Sequence, residues 1–275
     1  MKYKKLSLGI SFFAISVFLV FLFLFQNTKT FSNETTYSDK FELKFANNFI
    51  SYVINDQESM SFNLFAIQEV TNKNYSLEKL VSSIEFNNPN IKITDFEVDT
   101  GIKHKGYKLI NIIVNVEVLT NEIEEANTLL IQFNNEDVRP YEMGKIIVQS
   151  NQNFEKEGKH IEPFGNYTVG YPSLLLDVVL KNTTSGYISP IEISDLSRDI
   201  FYQFHDDFEF PPKENKQVKI NDFNKKDNAV YDFMTISPIL SYTIDNDTKL
   251  YKYNMPGVIY NILDPDIEKM EKMVE

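Results

Sequence analysis

Three short spellings in this chain match residue patterns that do chemistry elsewhere. Asp99-Thr100-Gly101 follows the strand-like Phe96-Glu97-Val98 and is the triplet with which aspartic proteases present a catalytic carboxylate. That chemistry needs two aspartates sharing one proton at close range, so a single copy would work only in a homodimer. A turn accounts for the same residues, with Asp99 bonded to local backbone and Gly101 supplying a positive φ. Ser76-Leu77-Glu78-Lys79 fits the S-x-x-K spacing that brings a lysine beside a nucleophilic serine on one helical turn. Its companions are missing: Ser194-Asp195 is followed by Leu196 where asparagine is needed, and there is no Lys-Thr-Gly. Ser76 as a plain helix N-cap explains these residues better.

His104, His160 and His205 are the only histidines, too far apart in sequence to give a short metal-ligating motif, and there is no cysteine to help. On a strand, His205 and Asp207 would share a face, so the aspartate could orient the ring. A solvated surface pair is the plainer reading. Asp245-Asn246-Asp247 offers oxygen ligands to calcium but lacks the glycine and distal glutamate of an EF-hand loop, and a hairpin turn suffices. No G-x-S-x-G, phosphate loop or dinucleotide fingerprint occurs. No catalytic, metal or cofactor-binding residue is therefore assigned, and no cofactor is expected.

Positioning elements begin with Leu6 to Phe25, where sixteen of twenty residues are apolar and none is charged. At about 1.5 Å per helical residue this run spans about 30 Å, the thickness of a bilayer's hydrocarbon core. Lys2, Lys4 and Lys5 precede it, and the next basic residue is Lys29, which predicts a cytoplasmic N-terminus and an outside C-terminus. The run ends in Phe23-Leu24-Phe25-Gln26-Asn27-Thr28, with bulky residues where cleavage needs small ones, so it reads as an uncleaved signal-anchor. Without cysteine, lipid attachment to a cysteine after the signal is closed. The formal charge of −12 from 27 basic and 39 acidic residues divides into +3 before the anchor and −15 beyond it. Such a field repels nucleic acid.

Beyond the anchor most periodic text alternates. Met60, Phe62, Leu64 and Ala66 form one row, Ile110, Ile112, Val114, Val116 and Val118 a second, and Leu174, Leu176, Val178 and Leu180 a third. Leu129–Phe133 and Lys145–Gln149 flank a turn-like stretch at residues 134–144 containing Pro140 and Gly144, a spacing that suits a hairpin or a loop between two sheets. Two helices are expected. One covers Leu77–Glu85, with Leu77, Leu80, Val81 and Ile84 on one face; the other opens at Asp264-Pro265-Asp266, with Ile267, Met270 and Val274 on one face.

These signals predict a mainly β protein: a single N-terminal transmembrane helix followed by two β-sandwich modules, immunoglobulin-like in general shape, with few short helices. The expected divisions are a cytoplasmic stub (residues 1–5), the signal-anchor (6–25), a spacer (26–39), a first extracytoplasmic β domain (40–150), a linker (151–165), a second extracytoplasmic β domain (166–263) and a C-terminal helix (264–275). The expected function is that of a non-enzymatic, membrane-anchored binding or accessory protein of the cell envelope. Its partners would be the membrane through residues 6–25 and an envelope protein or wall polymer, met by loops 134–144 and 205–219, with no nucleic acid. The lysines at 213, 216, 219, 225 and 226 are a locally basic stretch that could touch an anionic polymer. An exported hydrolase with a site assembled from distant residues is the alternative.

Overall fold

A computed structural model describes residues 42–55, 58–70, 76–134, 138–155, 159–166, 168–169, 174–226, 230–245, 247–261 and 265–274. The first half supplies β1 (Leu43–Phe45), β2 (Asn48–Ile54), β3 (Met60–Glu69), α1 (Leu77–Leu80), β4 (Val81–Phe86), β5 (Ile91–His104), β6 (Tyr107–Val118), β7 (Glu124–Phe133) and β8 (Val138–Ser150). The strongest alternation in the sequence becomes β6, where Ile110, Ile112, Val114 and Val116 are all buried. β6 pairs antiparallel with β3 and β5, and β1 completes a four-stranded sheet in the order β1-β3-β6-β5. The β5–β6 hairpin turns on Lys105 and Gly106, both at positive φ, as a two-residue turn compatible with strand twist requires.

The remaining elements are α2 (Gln152–Glu155), β9 (Ile161–Pro163), β10 (Thr168–Val169), β11 (Leu176–Asn182), β12 (Ile188–Ser194), β13 (Ile200–Gln203), β14 (Asn215–Ile220), β15 (Asn224–Lys225), β16 (Phe233–Ile236), β17 (Ile239–Ile244), β18 (Tyr251–Asn254), β19 (Ile259–Asn261) and α3 (Asp266–Val274). β11 has β14 on one side and the short β9 and β10 on the other. A five-stranded sheet runs β15-β13-β12-β17-β18. β9 lies within the stretch expected as a linker.

A six-stranded sheet joins the two halves in the order β19-β16-β2-β8-β7-β4. β2 runs parallel to both neighbours, β8 and β16, and its text Asn-Phe-Ile-Ser-Tyr-Val-Ile is buried at every residue but Tyr52. A strand covered on both faces is expected to read as a near-continuous run of this kind. Toward the β3 sheet, the Tyr52 ring meets Phe62 edge-on at 5.6 Å and Phe65 meets Phe233 at 4.8 Å. From the opposite face, Phe49, Ile147, Met234, Ile236 and Ile259 join one core with Leu176, Val178, Leu180, Ile193, Leu240 and Tyr242 of the second half. This sheet is thus a wall common to two cores, and residues 42–275 form one compact unit.

The mainly β expectation is met, and the three rows are buried where alternation put them except at two ends, Met60 and Val118, which are half-buried. Residues 6–25 fall outside the described residues; among those described, no helix is long and apolar enough to cross a membrane. The helix expected over Leu77–Glu85 is a single turn that gives way to β4 at Val81. Leu77, Val81 and Ile84 are buried as expected, because a helical turn followed by a strand with an irregularity between Val81 and Ser83 leaves the same spacing as a longer helix. Ser76 precedes α1 but its side chain makes no capping bond.

The two flanking runs fall on β7 and β8, which pair antiparallel as the hairpin alternative required, but the connection is shorter than residues 134–144, since β8 already starts at Val138. Pro140 pairs with Leu130 on one side, while β2 joins β8 only from Gly144 onward, so the proline sits where β8 is still an edge. In α3 the buried residues are Met270 and Met273, with Ile267 exposed. They share one buried cluster with Phe65, Ile67, Leu109 and Phe233, which is why Phe65 and Ile67 break the polar half of the β3 alternation.

Candidate functional site

The six-stranded sheet carries a defect. β7 and β8 pair regularly up to Ala126 with Ile146 and again from Thr128 with Glu142, leaving Asn127 on one strand against Met143, Gly144 and Lys145 on the other. Gly144 has a φ of 95° and pairs with Asn48 of β2. A Cβ at Gly144 would overlap the Asn48 backbone, so this approach of β8 to β2 requires glycine. Buried Asn48 locks the junction: its Nδ2 donates to Ala46 O (2.9 Å) and Met143 O (3.0 Å). Irregularities of this kind re-aim side chains and often neighbour functional sites.

At the defect lies a recess of about 510 Å³, lined by Phe45, Ala46, Asn47, Glu125, Asn127, Glu142, Gly144, Lys145 and Tyr231. It is a broad depression open to solvent rather than an enclosed cavity. A second recess of about 270 Å³, which Glu58 and Glu117 help to line, lies near the C-terminal ends of β2 and β8.

The larger recess is backed by an ionic cluster on the turn between β12 and β13. Lys145 Nζ donates to Asp199 Oδ2 (3.2 Å), and Tyr231 OH donates to the same oxygen (2.9 Å). Lys226 Nζ stands 3.7 Å from Asp199 Oδ1, and Glu125 Oε2 stands 3.9 Å from Lys145 Nζ. Asp199 is 7% exposed. Burial by itself would raise its carboxyl; hydrogen bonds from Tyr231 and Lys145, with the lysine charge, outweigh that and hold it below the usual carboxylate range. Burial pushes the Tyr231 phenol well up, and the bond to Asp199 adds to it. Tyr231 is therefore a fixed hydrogen-bond donor, and its ring stacks on Phe49 at 4.2 Å.

The turn itself is rigidly made. Asp195 Oδ2 accepts from Ser197 N (2.6 Å) and Ser197 Oγ (2.7 Å), while Oδ1 accepts from Ile200 N (2.7 Å). Leu196 N donates to Ser51 Oγ (2.9 Å) on β2. The recess is thus framed by hydrogen-bonded backbone from β2, β7, β8 and the 195–199 turn.

The residues singled out by motif are dispersed. Asp99 lies exposed on β5, paired with Asn111, and Gly101 lies on the same strand within the irregularity between Thr100 and Lys103; neither forms a turn. His205 and Asp207 are both exposed, with Asp207 in a turn rather than on a strand. His104 Nε2 lies 3.2 Å from Glu271 Oε1 of α3, and His160 Nδ1 lies 3.1 Å from Tyr242 OH. Asp245 Oδ1 accepts from Tyr187 N (2.8 Å); its neighbour Asn246 lies outside the described residues. Among the described residues no group of three histidine, cysteine or acidic side chains could hold a metal. Lys216 stands 5.0 Å over the Phe208 ring, and Lys213 donates to Thr183 O.

None of Glu125, Glu142, Lys145, Asp199 and Tyr231 belongs to a motif. The one signal near them was Gly144, read from the sequence as the end of a turn; the structure puts it inside β8, where a glycine commonly marks a bulge or a close backbone approach.

No family model matches the chain, and no curated protein matches it significantly. Among solved structures, the YadV chaperone is similar at 12% identity with a TM-score of 0.21, over 80% of this chain and 98% of that one. A DUF4785 family protein from Legionella pneumophila is similar at 12% identity with a TM-score of 0.21, over 79% of this chain and 56% of that one. Likenesses of that size carry no argument about fold or function.

Proposed function

We propose that this chain is a non-enzymatic binding or accessory protein of the cell envelope, held in the membrane by residues 6–25 with its β domains outside. Its β architecture is two immunoglobulin-like sandwich modules that share the six-stranded sheet as a wall. The observation that supports a binding role is the recess at the β7–β8 defect. Five side chains of complementary chemistry, Glu125, Asn127, Glu142, Lys145 and Tyr231, line one depression on a frame fixed by Asp195, Asp199 and Asn48. Preformed concave surfaces with a few placed polar groups are the usual form of a ligand site. The anchor is supported by the length and hydropathy of Leu6 to Phe25 and by the lysines that precede it.

A photo-activated cross-linking side chain at Asn127, on the rim of the recess, is expected to capture a reproducible partner in intact cells. The same group at Asn63, on the outer face of β3, serves as the reference position. No adduct at Asn127, or adducts identical at both positions, would contradict the reading. Protease treatment of intact cells is expected to remove the β domains, and their protection would overturn the topology.

A further inference from the structure

We propose that the C-terminal helix α3 is a releasable strap: docked, it fixes the segment that carries Tyr231 into the recess, and released, it lets that segment loosen. This goes beyond the binding reading and holds whatever the recess binds. A helix of nine residues is too short to persist alone in water, so α3 depends on the surface beneath it. Its buried side chains are Met270 and Met273. They lie in a small cluster with Phe65, Ile67, Leu109 and Phe233 that shares no residue with the larger core on the opposite face of the six-stranded sheet. The outward ties of α3 are side-chain bonds. Glu271 Oε1 accepts from Lys105 Nζ at 2.9 Å and stands 3.2 Å from His104 Nε2, while Lys272 Nζ donates to Asp232 O at 2.9 Å. An element held by one small cluster and a few such bonds opens at a lower free energy than strands paired on both sides.

Lys272 links the strap to the recess. Asp232, whose carbonyl it holds, shares two bonds with Asn47: Asp232 N donates to Asn47 O at 2.9 Å, and Asn47 N donates to Asp232 Oδ2 at 2.7 Å. Asn47 Nδ2 in turn donates to Val230 O. Tyr231 lies between these two anchored residues, and it lines the recess together with Asn47. The ladder of β16 with β2 starts only at Phe233, and Val230 is 74% exposed. Placement of residues 230–232 therefore rests on Asn47, on the Tyr231 contacts with Asp199 and Phe49, and on α3. When α3 lifts, Asp232 loses Lys272, and Phe233 loses both the Lys272 ammonium 5.9 Å from its ring and the cover of Met270 and Met273. Linkage is reciprocal, so whatever fixes Tyr231 also favours the docked helix.

The test is hydrogen exchange resolved to single residues on the full chain in a non-ionic detergent, with nitration of Tyr231 by tetranitromethane as a second readout. In the unaltered protein the α3 amides are expected to exchange faster than those of β2 and β8. Met270→Ser/Met273→Ser should speed α3 exchange by about a hundredfold and that of the Asp232 and Asn47 amides by about tenfold, with β2 and β8 unchanged. Nitration of Tyr231 should rise in the same variant while Tyr242, 1% exposed, stays unmodified. Lys272→Met keeps a stem over Phe233 but removes the bond to Asp232 O; it should speed exchange at Asp232 and Asn47 by about fivefold and leave the α3 amides as they were. Exchange of α3 as slow as that of β2 would overturn the proposal, as would an opened α3 with Asp232, Asn47 and Tyr231 unaltered. Should the double methionine variant fail to fold, Lys272→Met decides, and unchanged exchange at Asp232 overturns the proposal. These readouts do not involve binding, so the strap can fail while the Asn127 adduct is retained, and the converse.

Discussion

The two faces of the six-stranded sheet are made from the same strands and do different work. On the face toward β3 and β6, the contacts are Tyr52 with Phe62 and Phe65 with Phe233, and buried Asn48 serves only to tie backbone together. The opposite face is apolar at Phe49, Ile147, Met234 and Ile236. It becomes polar at the β7–β8 defect, where Lys145, Glu125 and Tyr231 meet the Asp199 turn. Both faces are packed along most of their length; a small recess lies where the end of β2 meets β6, and the larger, ionic one lies at the β7–β8 defect. The lesson is that a ladder irregularity lets a strand serve a core along most of its length and a site at one point.

The comparison breaks most strongly where either face loses a large ring. Phe49→Ala and Phe62→Ala are each expected to cost about 3–5 kcal/mol, and both should lower one common unfolding transition, because the sheet between them belongs to both cores. Calorimetry showing two transitions, only one of them shifted, would separate the faces.

Gly144→Ala attacks the defect itself. It places a Cβ into the Asn48 backbone at a positive φ, and about 3 kcal/mol of stability should be lost. A melting temperature unchanged by this substitution would mean that β8 approaches β2 differently.

Asp199→Asn is the smallest of the three, at about 1–2 kcal/mol near neutral pH, since it weakens bonds to Lys145 and Tyr231 without emptying the site. Its diagnostic is pH. The folded carboxyl lies below its ordinary value, so its contribution is fully present above the unfolded value of about 3.9 and is lost as pH falls through the folded value. Denaturant midpoints measured from pH 7 to pH 2 should therefore decline less steeply in Asp199→Asn. Parallel curves for the two proteins would sink that assignment.

Much of the fold was legible because burial leaves a period in the sequence. Ile110 to Val116 and Leu174 to Leu180 alternate and are buried as they alternate. Two elements misled for a local reason: Leu77 to Ile84 has helical spacing although a strand takes over at Val81, and Pro140 looked like loop because only one side of β8 is paired there. Phe65 and Ile67 broke the pattern of β3 because α3, two hundred residues later in the chain, lies on them. The recess was hidden for a similar reason. Glu125, Lys145, Asp199 and Tyr231 come from four separated segments, and only the parallel entry of β16 beside β2 brings the last of these to the site. Local periodicity carries no trace of such a pairing.

The shared wall is the claim on which the rest depends, and hydrogen exchange measured by mass spectrometry on the full chain tests it most directly. β2 and β16 are separated by almost two hundred residues, yet Asn48 to Ser51 pair with Phe233 to Ile236 residue by residue. Amides of β2, β8 and β16 are predicted to exchange slowly and with one common opening free energy, rising and falling together as denaturant is added. Exchange of Phe233 to Ile236 with the second-half strands, well before β2 and β8 open, would contradict the account.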